Sequence, residues 1–250
     1  IYVFRIILIF LSNNIMSILI ILFVIYIIYI LFSSTENYRS NHVLSPLSGG
    51  EPNYQPNLWN DNNDILYSHN CYSYFLNDIN QNLKCLCKNG KCKYINPQPG
   101  HYTKDIKVNL ENTTCNIIEG RVFEDNPSIF KINFDEKCPP DFYKGALTVD
   151  PKYQYHFYRQ DSNGYWSHKD GGLPATNKDA SDNLIYDPKE ADKNYPKKKK
   201  PVNYSQFCNY YCVPNNNHWD TVFSRRNLDG SLKYLPHENK NLLNLECLSS

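Results

Sequence analysis

An uninterrupted apolar run near the N-terminus constrains this chain more than any other feature. From Ile15 to Phe32 the sequence reads IMSILIILFVIYIIYILF, 18 residues without a charged side chain. A helix of that length nearly spans a hydrocarbon layer of about 30 Å. The alternative, a cleaved signal peptide, has a shorter apolar core, and no small-residue cleavage motif follows the run. We therefore predict a transmembrane helix at 15–32 and a single-pass membrane protein.

The remainder of the chain predicts one globular domain. The Pro- and Asn-rich stretch at 45–63 indicates a linker, placed at 34–65 between the hydrophobic segment 1–33 and a domain at 66–214. Residues 215–250 form a C-terminal extension. A formal net charge of +1 gives no electrostatic reason to expect a nucleic-acid partner.

Nine cysteines follow the apolar run, and their density indicates an oxidising compartment. Four disulfides and one free thiol account for the odd number, which places the domain on the non-cytosolic side. The alternative is a zinc site made by Cys85, Cys87 and Cys92 with Cys115 or His101. That spacing lacks the paired C-x-x-C of common zinc modules, so we predict neither a metal nor another cofactor.

Local patterns predict a helix and three strands in the domain. Asn70 is a candidate cap for a helix that begins at Cys71, because its side-chain oxygen can accept a hydrogen bond from a first-turn N–H. Alternating residues predict strands at 145–150, 153–160 and 165–169, joined by short turns. The expected fold class is α+β, with a helix packed on an antiparallel sheet and a cysteine-rich insertion.

Cys71, His156 and His168 are the candidate catalytic residues. A thiolate is stabilised by the first N–H groups of a helix and by an imidazolium, so Cys71 is the nucleophile and His156 its base. His168 would orient His156, and the N–H of Cys71 with the side chain of Asn70 or Ser68 would bind an oxyanion. The alternative is that Cys71 is a structural cysteine and that the histidines are half-buried sheet residues.

The turn between the second and third strands decides whether the two histidines can meet. A two-residue loop of Asn163 and Gly164 puts them on opposite faces of the sheet. A three-residue loop beginning at Ser162, with Gly164 left-handed, instead pairs Tyr158 with His168. Both histidines then lie on one face, about 5 to 8 Å apart. Both loops are common, so the sequence leaves the register open.

Six sequence blocks resemble a family found in giant DNA viruses and some bacteria. They are NCYSYFLND (70–78), PQPG (97–100), YHFYRQDSNGYWSHK (155–169), TNKDAS (176–181), IYDPKEADKNY (185–195) and FCNYYCVP (207–214). The family's pattern is similar to the papain-like fold of NlpC-type cysteine amidases and peptidases. There a Cys starts a helix, a base His follows on the next strand region, and a third polar residue lies on the adjacent strand. Cys71, His156 and His168 match that order, whereas a cysteine-rich insertion and Asp170, in place of Pro, depart from the family.

The resemblance implies a cysteine hydrolase, anchored in a virion or host membrane, that cleaves an amide bond in a peptide or peptidoglycan-like polymer. Its partners would be the membrane, through residues 15–32, and a peptide, glycopeptide or protein substrate. The alternative is a non-catalytic, disulfide-stabilised viral or cell-surface membrane protein that binds a partner protein. A reactive Cys71 favours the enzyme, whereas a disulfide at Cys71 excludes that mechanism.

Overall fold

The computed structural model divides the chain into two compact units, residues 1–43 and 44–250. The residues that it describes are 17–30, 43–79, 84, 87–88, 90–92, 98–100, 113–152, 154–198 and 200–215.

The first unit contains one described helix, α1, at residues 17–30. A helix of this length extends about 21 Å, which is less than the roughly 30 Å of a hydrocarbon layer. In the portion of the chain that the structure describes, no helix is both long and apolar enough to cross a membrane. This finding contradicts the predicted transmembrane helix at 15–32 and the predicted single-pass membrane localisation. The prediction was based on hydropathy alone, whereas crossing a bilayer also requires a sufficiently long helix.

The second unit combines short helices with antiparallel strands. Its helices are α2 (Asn57–Asn60), α3 (Asn63–Ser68), α4 (Cys71–Phe75) and α5 (Cys115–Asp125). Two small hairpins are formed by β1 (Cys87–Lys88) with β2 (Lys91–Cys92), and by β8 (Asn194–Tyr195) with β9 (Val202–Asn203). The main sheet contains β3 (Phe130–Ile132), β4 (Phe142–Asp150), β5 (Gln154–Gln160), β6 (Trp166–Lys169), β7 (Ala175–Thr176) and β10 (Gln206–Pro214).

The main sheet has the strand order β3-β10-β4-β5-β6-β7, and every pair is antiparallel. The last strand that the structure describes, β10, therefore lies between β3 and β4. The strands β4, β5 and β6 follow one another as the meander that the alternating sequence predicts. This meander carries the candidate histidines.

Helix α4 packs on one face of the sheet through aromatic side chains. Phe75 is fully buried, and its ring centroid lies 4.7 Å from that of Phe157 and 6.3 Å from that of Tyr211. Gly145 on β4 lies directly beneath the Phe75 ring, so a side chain at this position would overlap the ring. The absence of a Cβ at Gly145 thus allows α4 to lie close to the sheet.

Part of the segment predicted as the linker 34–65 is folded onto the domain. Trp59 of α2 is 1% exposed and packs against Tyr74 of α4, with ring centroids 4.8 Å apart. Ser45 accepts a hydrogen bond from Gln160 at its carbonyl oxygen, at 2.8 Å. The Pro- and Asn-rich segment is therefore irregular but packed on the domain, and composition alone does not distinguish such a segment from a linker.

Three disulfides join parts of the described domain: Cys87–Cys92, Cys115–Cys208 and Cys138–Cys212. The pairing of β10 with β4 shifts in register around Cys208. That residue is the extra one of a β-bulge, which turns its side chain out of the regular alternation. It bonds there to Cys115 at the start of α5.

Candidate active site

Cys71 begins α4 as a free thiol. The side-chain oxygen of Asn70 accepts hydrogen bonds from the backbone N–H groups of Tyr72, at 3.0 Å, and Ser73, at 3.2 Å. This confirms the predicted N-cap, which makes Cys71 the first helical residue. The six cysteines of the three disulfides are oxidised, whereas Cys71 is unbonded and 6% exposed. Cys71 thus differs from the other described cysteines both in its redox state and in its position at a helix start.

The register of β5 and β6 brings the two histidines together. Tyr158 pairs with His168, and Gly164 has a φ of +86°, so the three-residue loop is the one that forms. His156 Nε2 lies 2.8 Å from His168 Nδ1, and His168 Nε2 lies 2.9 Å from the carbonyl oxygen of Lys178. The register that puts both histidines on one face is confirmed, and the two-residue loop is excluded.

The carbonyl of Lys178 determines which ring nitrogens of His168 and His156 carry a proton. A carbonyl only accepts, so His168 Nε2–H donates to it, and the unprotonated Nδ1 of neutral His168 accepts from His156 Nε2–H. His156 Nδ1 then carries a lone pair, and it has no hydrogen-bond partner among the residues that the structure describes. Burial lowers the pKa of both imidazoles, to about 4 for His168. His156 therefore presents the unprotonated nitrogen that a general base requires.

The thiol of Cys71 is neutral at rest. Burial raises its pKa to about 11, and this effect exceeds the opposing stabilisation by the backbone N–H of Phe157 and by the charge of Lys169. Helix α4 has only five residues, so its aligned peptide dipoles are few. The site at rest combines a neutral thiol with neutral imidazoles, in place of the thiolate and imidazolium expected from the sequence.

Cys71 and His156 both lie at β5 and share a neighbour, Tyr204. Cys71 packs in the same core cluster as Phe157. His156 alternates with Phe157 along the strand, and Tyr204, which also interacts electrostatically with the Cys71 thiol, stacks on its ring with centroids 5.0 Å apart. Phe157 lies just outside the paired residues of β5 and β6, which leaves its N–H beside the thiol. A direct approach of the Cys71 sulfur to His156 Nδ1, within roughly 3 to 5 Å, stays a prediction.

The side chains predicted to bind an oxyanion are engaged in the turn before α4. Asn70 uses its amide oxygen as the cap of the helix. Ser68 Oγ lies 2.7 Å from His69 Nδ1. The backbone N–H groups of Cys71 and Tyr72 instead lie around the sulfur, where they lower the pKa of the thiol. These backbone groups are the better candidates for oxyanion donors.

Sequence reasoning missed two side chains that adjoin these residues, Lys169 and Tyr204. Lys169 is fully buried, and the stretch WSHK offered a signal for it, because a lysine directly after His168 on a buried strand needs partners. Tyr204 covers one face of the His156 ring. It offered no signal, since the long connection between β7 and β10 places it there.

A metal site receives no support from the described residues. Cys87 and Cys92 bond to each other, and Cys115 bonds to Cys208, so three of the five proposed zinc ligands have their sulfur in a disulfide. Within the described ranges no group of three or more His, Cys, Asp or Glu side chains could hold a metal ion. The other two proposed ligands, Cys85 and His101, lie outside those ranges, as does Cys247.

Comparisons with known proteins locate one partial relative. No protein-family model matches the chain, and no solved structure matches it significantly. A stretch of 48 residues, 19% of this chain, is 56% identical to "Insoluble matrix shell protein 1" from Ruditapes philippinarum. The chain spans about a third of that protein's length, 32%. This similarity concerns a short stretch and assigns no family to the whole chain.

Proposed function

We propose that this chain is a cysteine hydrolase that cleaves an amide bond in a peptide or peptidoglycan-like polymer. One observation carries the proposal. A free cysteine packs against β5, the strand of His156, whose ring is hydrogen-bonded to His168 of β6 and keeps one unprotonated nitrogen. In a domain whose other described cysteines are disulfide-bonded, a retained thiol packed against the strand that carries such a base is a combination suited to nucleophilic catalysis.

The neutral resting pair suits a mechanism in which the proton moves during attack. His156 Nδ1 would take the proton of the Cys71 thiol while the sulfur adds to the amide carbonyl carbon. The carbon–nitrogen bond then breaks, the amine leaves with the proton from His156, and a thioester remains on the sulfur. Water, deprotonated by the same imidazole, hydrolyses the thioester. His168, held by the Lys178 carbonyl, keeps His156 in the tautomer that this cycle needs.

The described site is closed. Cys71 is 6% exposed and His156 is 1% exposed. Substrate binding therefore requires side chains over the site, among them Tyr204, to move aside.

Thiol labelling tests the nucleophile and base directly. The folded, non-reduced protein is treated with iodoacetamide near neutral pH, and modification of Cys71 is followed by peptide mass mapping. Cys71→Ser should lose the modified peptide and keep its fold. His156→Ala should label several-fold more slowly, because the thiol loses its proton acceptor. Equal rates for the wild type and His156→Ala would rule out the dyad.

Hydrolysis is tested with bacterial cell-wall sacculi and with casein, by measuring newly released amines. The wild type should release amines from at least one of these polymers, and Cys71→Ser should release none. Equal release by both proteins would assign the activity to something other than Cys71. An unreactive wild type on both polymers would count against this substrate class.

A second candidate is a non-catalytic, disulfide-stabilised protein that binds a partner protein. The partial similarity to an insoluble matrix shell protein and the three disulfides favour it. Disulfides stabilise structural proteins outside reducing compartments without any need for a thiol. On this candidate Cys71→Ser retains every function of the wild type, whereas the hydrolase loses its activity.

A further inference from the structure

Lys169 is a buried cation whose hydrogen-bonding capacity is fully used. It is 0% exposed, and its Nζ donates to the carbonyl oxygens of Leu66 at 2.6 Å, His69 at 2.8 Å and Gly171 at 2.6 Å. An ammonium has three N–H groups, whereas a neutral amine has two. Three carbonyl acceptors at these distances therefore correspond to the charged form.

The three carbonyls belong to segments on either side of the candidate site. Leu66 and His69 lie at the C-terminal end of α3, directly before the Asn70 cap of α4. Gly171 lies just after β6, the strand of His168. One ammonium thus ties the turn that leads into Cys71 to the end of a histidine-bearing strand.

The charge of Lys169 also acts on the thiol. This charge lowers the pKa of Cys71. Burial in turn lowers the pKa of Lys169 to about 7, against a smaller opposing effect of Cys71. The ion pairs of the described chain do not include Lys169, so no carboxylate there neutralises its charge. Lys198, which also interacts with the thiol, is by contrast paired with Asp170.

We propose that Lys169 is a positioning residue of the Cys71 site, which sets where α4 begins and provides the positive charge that stabilises sulfur as it loses its proton. This role rests on the proposed hydrolase function. The competing explanation is that Lys169 only satisfies buried carbonyls. The two roles move the reactivity of Cys71 in opposite directions. Loss of the charge slows thiolate formation, whereas a merely loosened turn exposes the sulfur and speeds its labelling.

Three substitutions separate charge from hydrogen bonding. Lys169→Met removes both, Lys169→Gln keeps donors without charge, and Lys169→Arg keeps the charge. The matched control is Lys144→Met, because Lys144 is also 0% exposed and donates to a backbone carbonyl, Pro46 O, at 2.9 Å, on a different strand. Thermal unfolding of each variant records the structural cost.

The readout is the rate of Cys71 labelling by iodoacetamide between pH 6 and 9, followed by peptide mass mapping. Lys169→Met and Lys169→Gln should label about tenfold more slowly at pH 6, where Lys169 is charged, which corresponds to a rise of about one unit in the apparent pKa of the thiol. Lys169→Arg should stay near the wild-type rate, and Lys144→Met should change less than about twofold despite its lower melting temperature.

Several outcomes would overturn the proposal: faster or unchanged labelling in Lys169→Gln, or equal slowing in Lys169→Gln and Lys169→Arg. If Lys169→Met does not fold, the comparison of Lys169→Gln with Lys169→Arg decides. The readout needs no turnover, so a wild type without amide hydrolysis would refute the proposed function and leave the coupling of Lys169 to Cys71 to be judged by its own rates.

Discussion

Substitution of Gly145 by alanine should separate α4 from the sheet. An added Cβ would lie 2.1 Å from Phe75 Cε2 and 2.6 Å from Phe75 Cδ2, far inside an ordinary carbon–carbon contact. The Phe75 ring cannot retreat easily, because it is fully buried against Phe157 and Tyr211. The clash must therefore move α4, the helix that begins with Cys71.

The expected cost follows from the size of that overlap. Overpacking a buried site usually costs about 1 to 3 kcal/mol, and an approach this close calls for the upper end, about 3 kcal/mol. For a domain of this size that loss lowers the melting temperature by about 6 to 12 °C. Labelling of Cys71 should change as well, since the helix that carries it is displaced.

The assay is urea and thermal unfolding under non-reducing conditions, with Gly120→Ala as the matched control. Gly120 is exposed within α5, and an added Cβ there meets nothing within 4 Å. Alanine is the better helix former, so this control should gain about 0.5 to 1 kcal/mol. The same change of residue is thus expected to act with opposite signs at two positions.

A double variant tests whether the Phe75 ring is the cause. Phe75→Leu alone should cost about 1 to 2 kcal/mol by leaving a cavity, which the methyl group of Gly145→Ala would partly fill. The two costs should therefore fall short of additivity by at least about 1 kcal/mol. Additive costs, or a Gly145→Ala protein as stable as the wild type, would refute the reasoning.

Three further predictions concern stability. Replacing Cys115 and Cys208 together by alanine removes a disulfide with a sequence separation of 93 residues, which should lower the free energy of urea unfolding by about 4 to 5 kcal/mol. Removing the short Cys87–Cys92 disulfide of the β1–β2 hairpin should lower it by only about 2 kcal/mol. Equal losses would contradict the loop-entropy argument. Burial raises the pKa of Asp78 to about 7, so the folded state loses stability as pH rises from about 4 to 7. Asp78→Asn should therefore match the wild type near pH 4 and exceed it by up to about 4 kcal/mol at pH 8, and a gain that does not depend on pH would exclude this titration as the cause. Asn70→Ala should cost about 1 kcal/mol and Asn70→Asp much less, whereas similar losses in both would show that capping is not what Asn70 contributes.

The part of the site predictable from sequence is the part built from near neighbours. The cap at Asn70 and the start of α4 depend on residues two or three positions apart. The facing of His156 and His168 depends on one short turn, for which the sequence allowed two loops. By contrast, the partners of Lys169 could not be predicted, because Leu66 lies 103 residues away in the chain.

The charge state of Cys71 and the membrane anchor were also not predictable from the sequence. The position of Cys71 at a helix start suggested a thiolate, but burial among core side chains raises the pKa of the thiol to about 11. The membrane anchor at 15–32 was inferred from hydropathy, whereas no helix among the described residues is long and apolar enough to cross a bilayer. In both cases the sequence indicated a local tendency, and the outcome depended on a property of the folded chain.

The sequence by itself determined the capped helix at Cys71, the alternating strands of the meander and the number of cysteines available for oxidation. These features arise from backbone capping and side-chain alternation, which act over a few residues. Only the tertiary structure decided which cysteines pair, which loop joins β5 to β6, and which nitrogen of His156 is left unprotonated. These properties depend on contacts between distant segments and on the removal of water from around Cys71, His156 and His168, and neither is encoded in any short stretch of the chain.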